Sequence, residues 1–190
     1  AENGYLGRDW LGSHWYALAR NQHNGAGSWP EPTTPGRWDS LGIPLKPWQT
    51  GGHEVVILAT RHIGPPGVAE PTGWAERIAA ELRQAQPRPV RIRAHPGERP
   101  PPVALEADLA AAYCAVTWGS GAAIKALRAG VPVFYGLPQW IGAPAAKRVS
   151  DGIEARFLGD RWPMFCRLAW AQWSVSEIAT GEPFKWLLAR

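Results

Sequence analysis

Sulfur is scarce in this chain: two cysteines and one methionine in 190 residues. Cys114 and Cys166 stand far apart with no C-x-x-C, so neither a disulfide framework nor a zinc ribbon fits, and both read as structural thiols of a cytoplasmic protein. No apolar run nears the roughly 20 residues needed to span a bilayer, and no signal-peptide pattern opens the chain. The H-E-x-x-H and Walker A patterns are missing, which removes zinc-hydrolase and P-loop readings. G-x-S-x-G is missed too, because Trp118-Gly119-Ser120-Gly121 lacks the leading glycine and no histidine follows His95. Charge of one sign is also modest: 20 basic against 16 acidic side chains leaves +4, with no basic stripe of the kind a dedicated DNA binder carries. That balance suits an anionic ligand such as a nucleotide phosphate and permits weak nucleic-acid contact.

What is present is a globular composition, 45% hydrophobic and 19% charged, at the length of one domain. The 21 Gly and 19 Pro predict a loop-rich chain, and 12 Trp against four Tyr and four Phe is a marked bias. Residues 1–52 interleave Gly, Pro, Asn and Trp without a sustained period, so they read as an irregular Trp-rich segment with room for a short helix over 11–20. Trp10, Trp15, Trp29, Trp38 and Trp48 are expected to pack on the body of the domain, with stacking on a sugar or base as the alternative.

From residue 53 the pattern becomes regular. EVVILAT over 54–60 is a strand buried on both faces, and 73–84 carries Trp74, Ile78, Ala79 and Leu82 at helical spacing. A strand follows over 90–94, a short helix over 105–111, and a third strand over 113–118. The spacing then gives a helix over 122–129, stopped by Gly130, and a fourth strand over 131–135. This alternation predicts an α/β fold with a Rossmann-like parallel sheet over 53–136. Residues 137–190 complete the same domain as helices near 143–149, 164–173 and 174–188, with Trp170 and Trp173 sharing a face with Cys166.

Two motifs fall where parallel sheets bind ligands, at carboxyl ends of strands. Thr117-Trp118-Gly119-Ser120-Gly121-Ala122 is a strand, a Gly-Ser-Gly turn and a helix start. Free N–H groups and the positive helix end make such a turn an anion site, and Ser120 serves either as its hydroxyl donor or simply as an N-cap. Arg91-Ile92-Arg93-Ala94-His95-Pro96 ends the preceding strand, placing His95 and Arg93 for a phosphate or ribose.

RIRAHPG followed by CAVTWGSGAAIKALRAGVPVF resembles the nucleotide-sugar half of GT-B glycosyltransferases of the capsule-polysaccharide type. The family pattern runs R-x-HP, a strand, then S-x-x-x-x-E-A-L-x-x-G-x-P-V. The resemblance covers roughly 54–136, and the opening Glu2-Asn3-Gly4-Tyr5-Leu6 is similar to the family's E-D-G-F/Y-L segment. It implies that His95 and Ser120 hold the donor nucleotide, with Gly121 and Ala122 supplying backbone N–H groups. Lys125 stands where the family often has an acidic residue, and Asn3 where it has Asp. Glycosyl transfer needs a base for the acceptor hydroxyl and positive charge for the leaving diphosphate. Glu2 is the base the resemblance favours among Glu2, Asp9, His14, His23 and Glu70, and Arg61 and Arg93 offset the leaving group.

A metal-dependent GT-A transferase is disfavoured, since Asp9, Asp39, Asp108, Asp151 and Asp160 form no D-x-D pair. The expectation is a metal-independent enzyme without cofactor, moving a sugar from a nucleotide donor to a glycan or to a modified DNA base. The rivals are a non-catalytic module binding nucleotide or nucleic acid, and a GT-B-like nucleotide-sugar epimerase.

Overall fold

The apolar runs assemble into a five-stranded parallel sheet. The computed structural model describes every residue except 24, 33, 35, 98, 99 and 190. In chain order the elements begin with β1 (Glu2–Asn3), β2 (Asp9–Trp10), β3 (Ser13–Ala17) and α1 (Gly36–Ser40). The alternating region follows with β4 (Glu54–Leu58), α2 (Trp74–Ala85), β5 (Val90–Arg93), α3 (Leu105–Ala110), β6 (Ala112–Thr117), α4 (Gly121–Arg128) and β7 (Val133–Tyr135). The remainder holds β8 (Lys147–Arg148), α5 (Trp162–Ala171), β9 (Gln172–Ser174), α6 (Val175–Ala179) and α7 (Glu182–Leu188). None of the described helices is long and apolar enough to cross a membrane.

The sheet order is β5-β4-β6-β7-β8, with every pairing parallel. Successive side chains of a strand point to opposite faces, so the continuous apolar run of β4 feeds two cores. Val55 and Ile57 pack with Cys114, Phe134 and the Trp74, Ile78 and Leu82 face of α2. Val56 and Leu58 pack with Ala115 and Tyr135, and with Ile124 and Leu127 of α4 and Phe165 and Leu168 of α5. Gly130 takes φ +83° just past α4, where a side chain would collide with the Pro47 carbonyl. After β5 the chain crosses back to the far side of β4, so the β4–β6 junction is where the winding direction reverses.

Two regions depart from the sequence reading. Residues 11–20 form no helix: Leu11 and Gly12 both have positive φ, turning the chain into an antiparallel hairpin of β2 and β3. Trp15 and Ala17 point inward from β3 while His14 is exposed and Tyr16 half-buried, a period of two that the short aromatic run masks. Residues 172–174 also leave the helical pattern, because β9 pairs antiparallel with β3, Trp15 opposite Ser174 and Tyr16 opposite Trp173. The helix expected over 174–188 is broken by Gly181 at φ +77°, and that near 143–149 is two 3₁₀ turns around β8. The opening and closing segments thus share one antiparallel layer, joining β1, β2, β3 and β9.

The tryptophans of the opening segment go to packing. Trp15 and Trp38 are buried, and Trp10, Trp29 and Trp48 lie against the same core. Trp38 meets the Phe165 ring at 4.7 Å. Trp173 is buried beside Trp170 and Trp186, and Cys114 and Cys166 are both buried and joined in no disulfide.

Candidate functional site

The carboxyl ends of β4, β5 and β6 open into a cleft of about 720 Å³. Leu58 to Arg61 enter it from β4, Arg93 to Pro96 from β5, and Trp118 to Ala122 from the β6–α4 turn. The opposite wall comes from the opening segment, with Glu2, Asn3, Tyr5 and Arg8. Glu2, Arg61, Arg93, His95, Ser120, Gly121 and Ala122, the residues singled out from sequence, all line this one cleft.

The turn before α4 is built by local bonds. Thr117 Oγ1 accepts the Ser120 N–H at 2.9 Å, and Ser120 Oγ caps the helix by accepting the Ala122 N–H at 3.1 Å. Ala123 N–H goes to the Ser120 carbonyl at 3.0 Å. These bonds leave the Gly121 N–H as the first-turn donor for a ligand and the Ser120 O–H as a second. Ser120 therefore fills the capping role while keeping its own proton to donate. The Ala122 amide is spent on that cap.

His95 is oriented by its own loop. Its Nδ1 accepts the Gly97 N–H at 2.9 Å, so the neutral ring carries its proton on Nε2, a donor. Arg93 proves less free than its sequence position implies. Its guanidinium pairs with Asp108 and donates to the Val103 carbonyl at 2.9 Å, and Asp108 also binds Arg91 at 2.9 Å. The Asp108 carboxylate, buried and shared by two arginines, compensates most of the charge that Arg93 would bring. Arg61 has no ion pair among the described residues, stays exposed, and lies against the Gly97–His95 loop.

Glu2 is held by the Tyr5 hydroxyl at 3.2 Å and the Gly25 N–H at 3.3 Å, both on Oε1. Burial, and then the neighbouring Glu2 charge, push the Tyr5 phenol well above its usual range, so it stays a neutral donor. Of the other candidate bases, Asp9 pairs with His14 across the hairpin, and His23 lines the cleft. Glu70 is buried outside it. One Glu70 oxygen accepts the Thr60 N–H at 2.9 Å, its carbonyl accepts from His62 Nδ1 at 2.8 Å, and its other oxygen is buried without a partner. Burial raises its carboxyl above the ordinary range, and it acts as a clamp on the loop that carries Arg61.

Sequence reasoning missed three lining residues. Trp118 forms the floor, donating Nε1–H to the Val68 carbonyl at 2.9 Å and meeting Trp74 edge-on at 5.6 Å. A side chain on Gly136 would lie 2.7 Å from the Trp118 ring, so that glycine makes room for the floor. Lys125 lies one helical turn beyond Gly121, a spacing that could have flagged it. Arg8 carried no sequence signal, because only the β2–β3 hairpin brings it to the wall.

The cleft thus offers hydroxyl, amide and imidazole donors beside Arg61, Arg8 and Lys125, with Glu2 as the one carboxylate among its described lining residues. Such a set favours an anion. No group of three or more His, Cys, Asp or Glu among the described residues is arranged to hold a metal ion. Comparison with protein-family models, with curated proteins and with solved structures finds no match for this chain.

Proposed function

We propose that this cleft binds a nucleotide sugar and transfers the sugar to an acceptor hydroxyl, as the GT-B resemblance implies for a Rossmann-like donor half. The observation that carries the reading is convergence: seven residues chosen from separate stretches of sequence line one cleft at the winding reversal of a parallel sheet. Ser120 and Gly121 donate to the phosphates at the positive end of α4, and His95 donates from the β5 end to phosphate or ribose. Arg61, with a smaller contribution from the Asp108-paired Arg93, offsets charge on the leaving diphosphate. In the transfer, the acceptor oxygen bonds to the anomeric carbon as the bond from that carbon to the diphosphate oxygen breaks. Glu2 takes the acceptor proton.

A thermal-shift panel of UDP-, GDP-, CMP- and dTDP-sugars tests the donor. A ligand at 100 times its Kd adds about 2.7 kcal/mol, which raises the Tm of a chain this size by roughly 5–10 °C. Ser120→Ala and His95→Ala each lower that shift, while Glu2→Gln keeps the shift and stops release of nucleotide. A flat panel removes the reading. Binding without turnover is the second reading, favoured by the two hydrogen bonds already on Glu2 Oε1. A donor shift without nucleotide release in the presence of acceptors would establish it.

A further inference from the structure

The cations that line the cleft differ in how their charge is compensated. On the sheet side Arg93 is held by Asp108. Arg8 from the opening segment and Lys125 from α4 have neither ion pair nor side-chain hydrogen bond among the described residues, and Arg61 at the end of β4 has no ion pair either. Lys125 reaches the opening segment: a methyl added to Gly7, the residue before Arg8, would lie 3.8 Å from Lys125 Nζ. Glu2, the proposed base, shares the opening-segment wall with Arg8 and faces the same cleft as Lys125, so an acceptor presented to Glu2 meets uncompensated cations. Such an acceptor is negatively charged.

The same wall continues into an arm with an apolar tip. Leu11 and Gly12 have φ of +48° and +71°, the two positive values of a type I′ hairpin turn. Asn or Asp is the usual first residue there, and a branched apolar side chain in the left-handed region is strained. Leu11 is moreover 58% exposed, so packing does not repay the strain. The arm beneath it is braced: Trp15 Nε1–H donates to the Trp10 carbonyl at 2.7 Å, and the two rings meet edge-on at 5.2 Å. Its tip lies three residues beyond Arg8, an extended reach of roughly 10 Å. A rigid arm offering an exposed apolar side chain next to phosphate-seeking cations matches the way proteins part a base stack and turn a nucleotide outward. An anionic glycan would use the cations and leave the leucine without a role.

Resting on the sugar-transfer reading, we infer that the acceptor is a nucleic-acid duplex: Arg8 and Lys125 hold the phosphates beside the reacting nucleotide, and Leu11 wedges the stack from which that nucleotide turns into the cleft. The test is fluorescence anisotropy of the full chain with a fluorescein-labelled DNA duplex of about 20 base pairs across a salt series. Binding weakens with salt, and the Arg8→Gln/Lys125→Gln double variant reduces the log–log slope by about 1.8. Leu11→Asn, which suits the turn, keeps or raises the Tm and leaves the nucleotide-sugar shift intact, yet weakens duplex binding about tenfold. A duplex that does not bind at about 50 mM salt overturns the inference. So does full displacement by heparin together with an unchanged Leu11→Asn variant, which would make the wall a glycan site. A donor shift without duplex binding removes this inference and leaves the transferase reading standing. Duplex binding with a flat donor panel removes the transferase reading, and the acceptor role with it.

Discussion

The parallel sheet and the antiparallel layer are held together in different ways. In the sheet, β4 and β6 are buried throughout or nearly so, and their contacts are apolar side chains meeting α2, α4 and α5. In the layer, short strands are tied by polar clasps. Arg37 of α1 donates to the Ala169 and Gln172 carbonyls at 2.7 and 3.1 Å, pairs with Glu177 at 2.6 Å, and stacks 3.9 Å from the Trp173 ring. The first region is fixed by the close packing of buried apolar side chains. The second depends on a few groups whose loss leaves partners stranded.

Four experiments strain this contrast. The largest effect belongs to the sheet: Ile57→Ala removes a fully buried side chain between β4 and α2, at a cost of about 3–4 kcal/mol in urea unfolding. Glu177→Gln follows at about 2 kcal/mol, since it removes the carboxylate from a mostly buried guanidinium while the amide oxygen still serves the Ser174 capping box. If both variants unfold in one transition by fluorescence and far-UV circular dichroism, sheet and layer are one cooperative unit. Two transitions for Glu177→Gln alone would separate them.

The third experiment uses pH, where two carboxyls have opposite signs. Burial pulls Glu177 upward, but the hydrogen bond and charge of Arg37 and the Ser174 N–H hold it below the ordinary value of 4.5. Its stabilisation is present above that value and lost as pH falls through the lower folded one. Glu70 runs the other way. Its folded value is raised, so its favourable contribution is complete below 4.5 and disappears as pH rises through the raised value. Glu70→Gln therefore raises the Tm by roughly 2–4 °C at pH 8 and leaves it unchanged near pH 4. Glu177→Gln lowers the Tm at pH 8 and converges on wild type in acid.

The fourth experiment perturbs least. Burial pushes the thiols up, Cys114 to about 12 and Cys166 to about 11, so neither reacts with a thiol probe at neutral pH without opening. Equal labelling rates for the two thiols would report a single opening event. Faster labelling of Cys166, on α5 beneath the layer, would place the weaker region there.

The contrast also explains what could be read in advance. Strands β4 to β7 and their helices follow from local apolar spacing and from Gly and Pro stops, so their positions were legible within a few residues. The Ser120 turn and the His95 strand end were legible for the same reason, being strand-to-loop boundaries in one repeating unit. The layer was not. β3 pairs with the nearby β1 and β2 but also with β9, more than a hundred residues away, and nothing in SHWYA foretells that partner. Arg93 was misjudged on similar grounds: Asp108, which claims it, comes from α3 after a proline-rich loop. Local pattern points to the strand ends that line the cleft and leaves their charge balance to the tertiary fold.

The β3–β9 pairing has a consequence in time. The chain supplies Glu2 and Arg8 near its start, but the strand that steadies their wall includes no partner from β9 until residue 172 has been made. During synthesis the parallel sheet can close while the cleft still lacks one side. A nascent chain would thus carry the α4 turn well before the wall facing it is braced, so the complete cleft waits for β9 to dock.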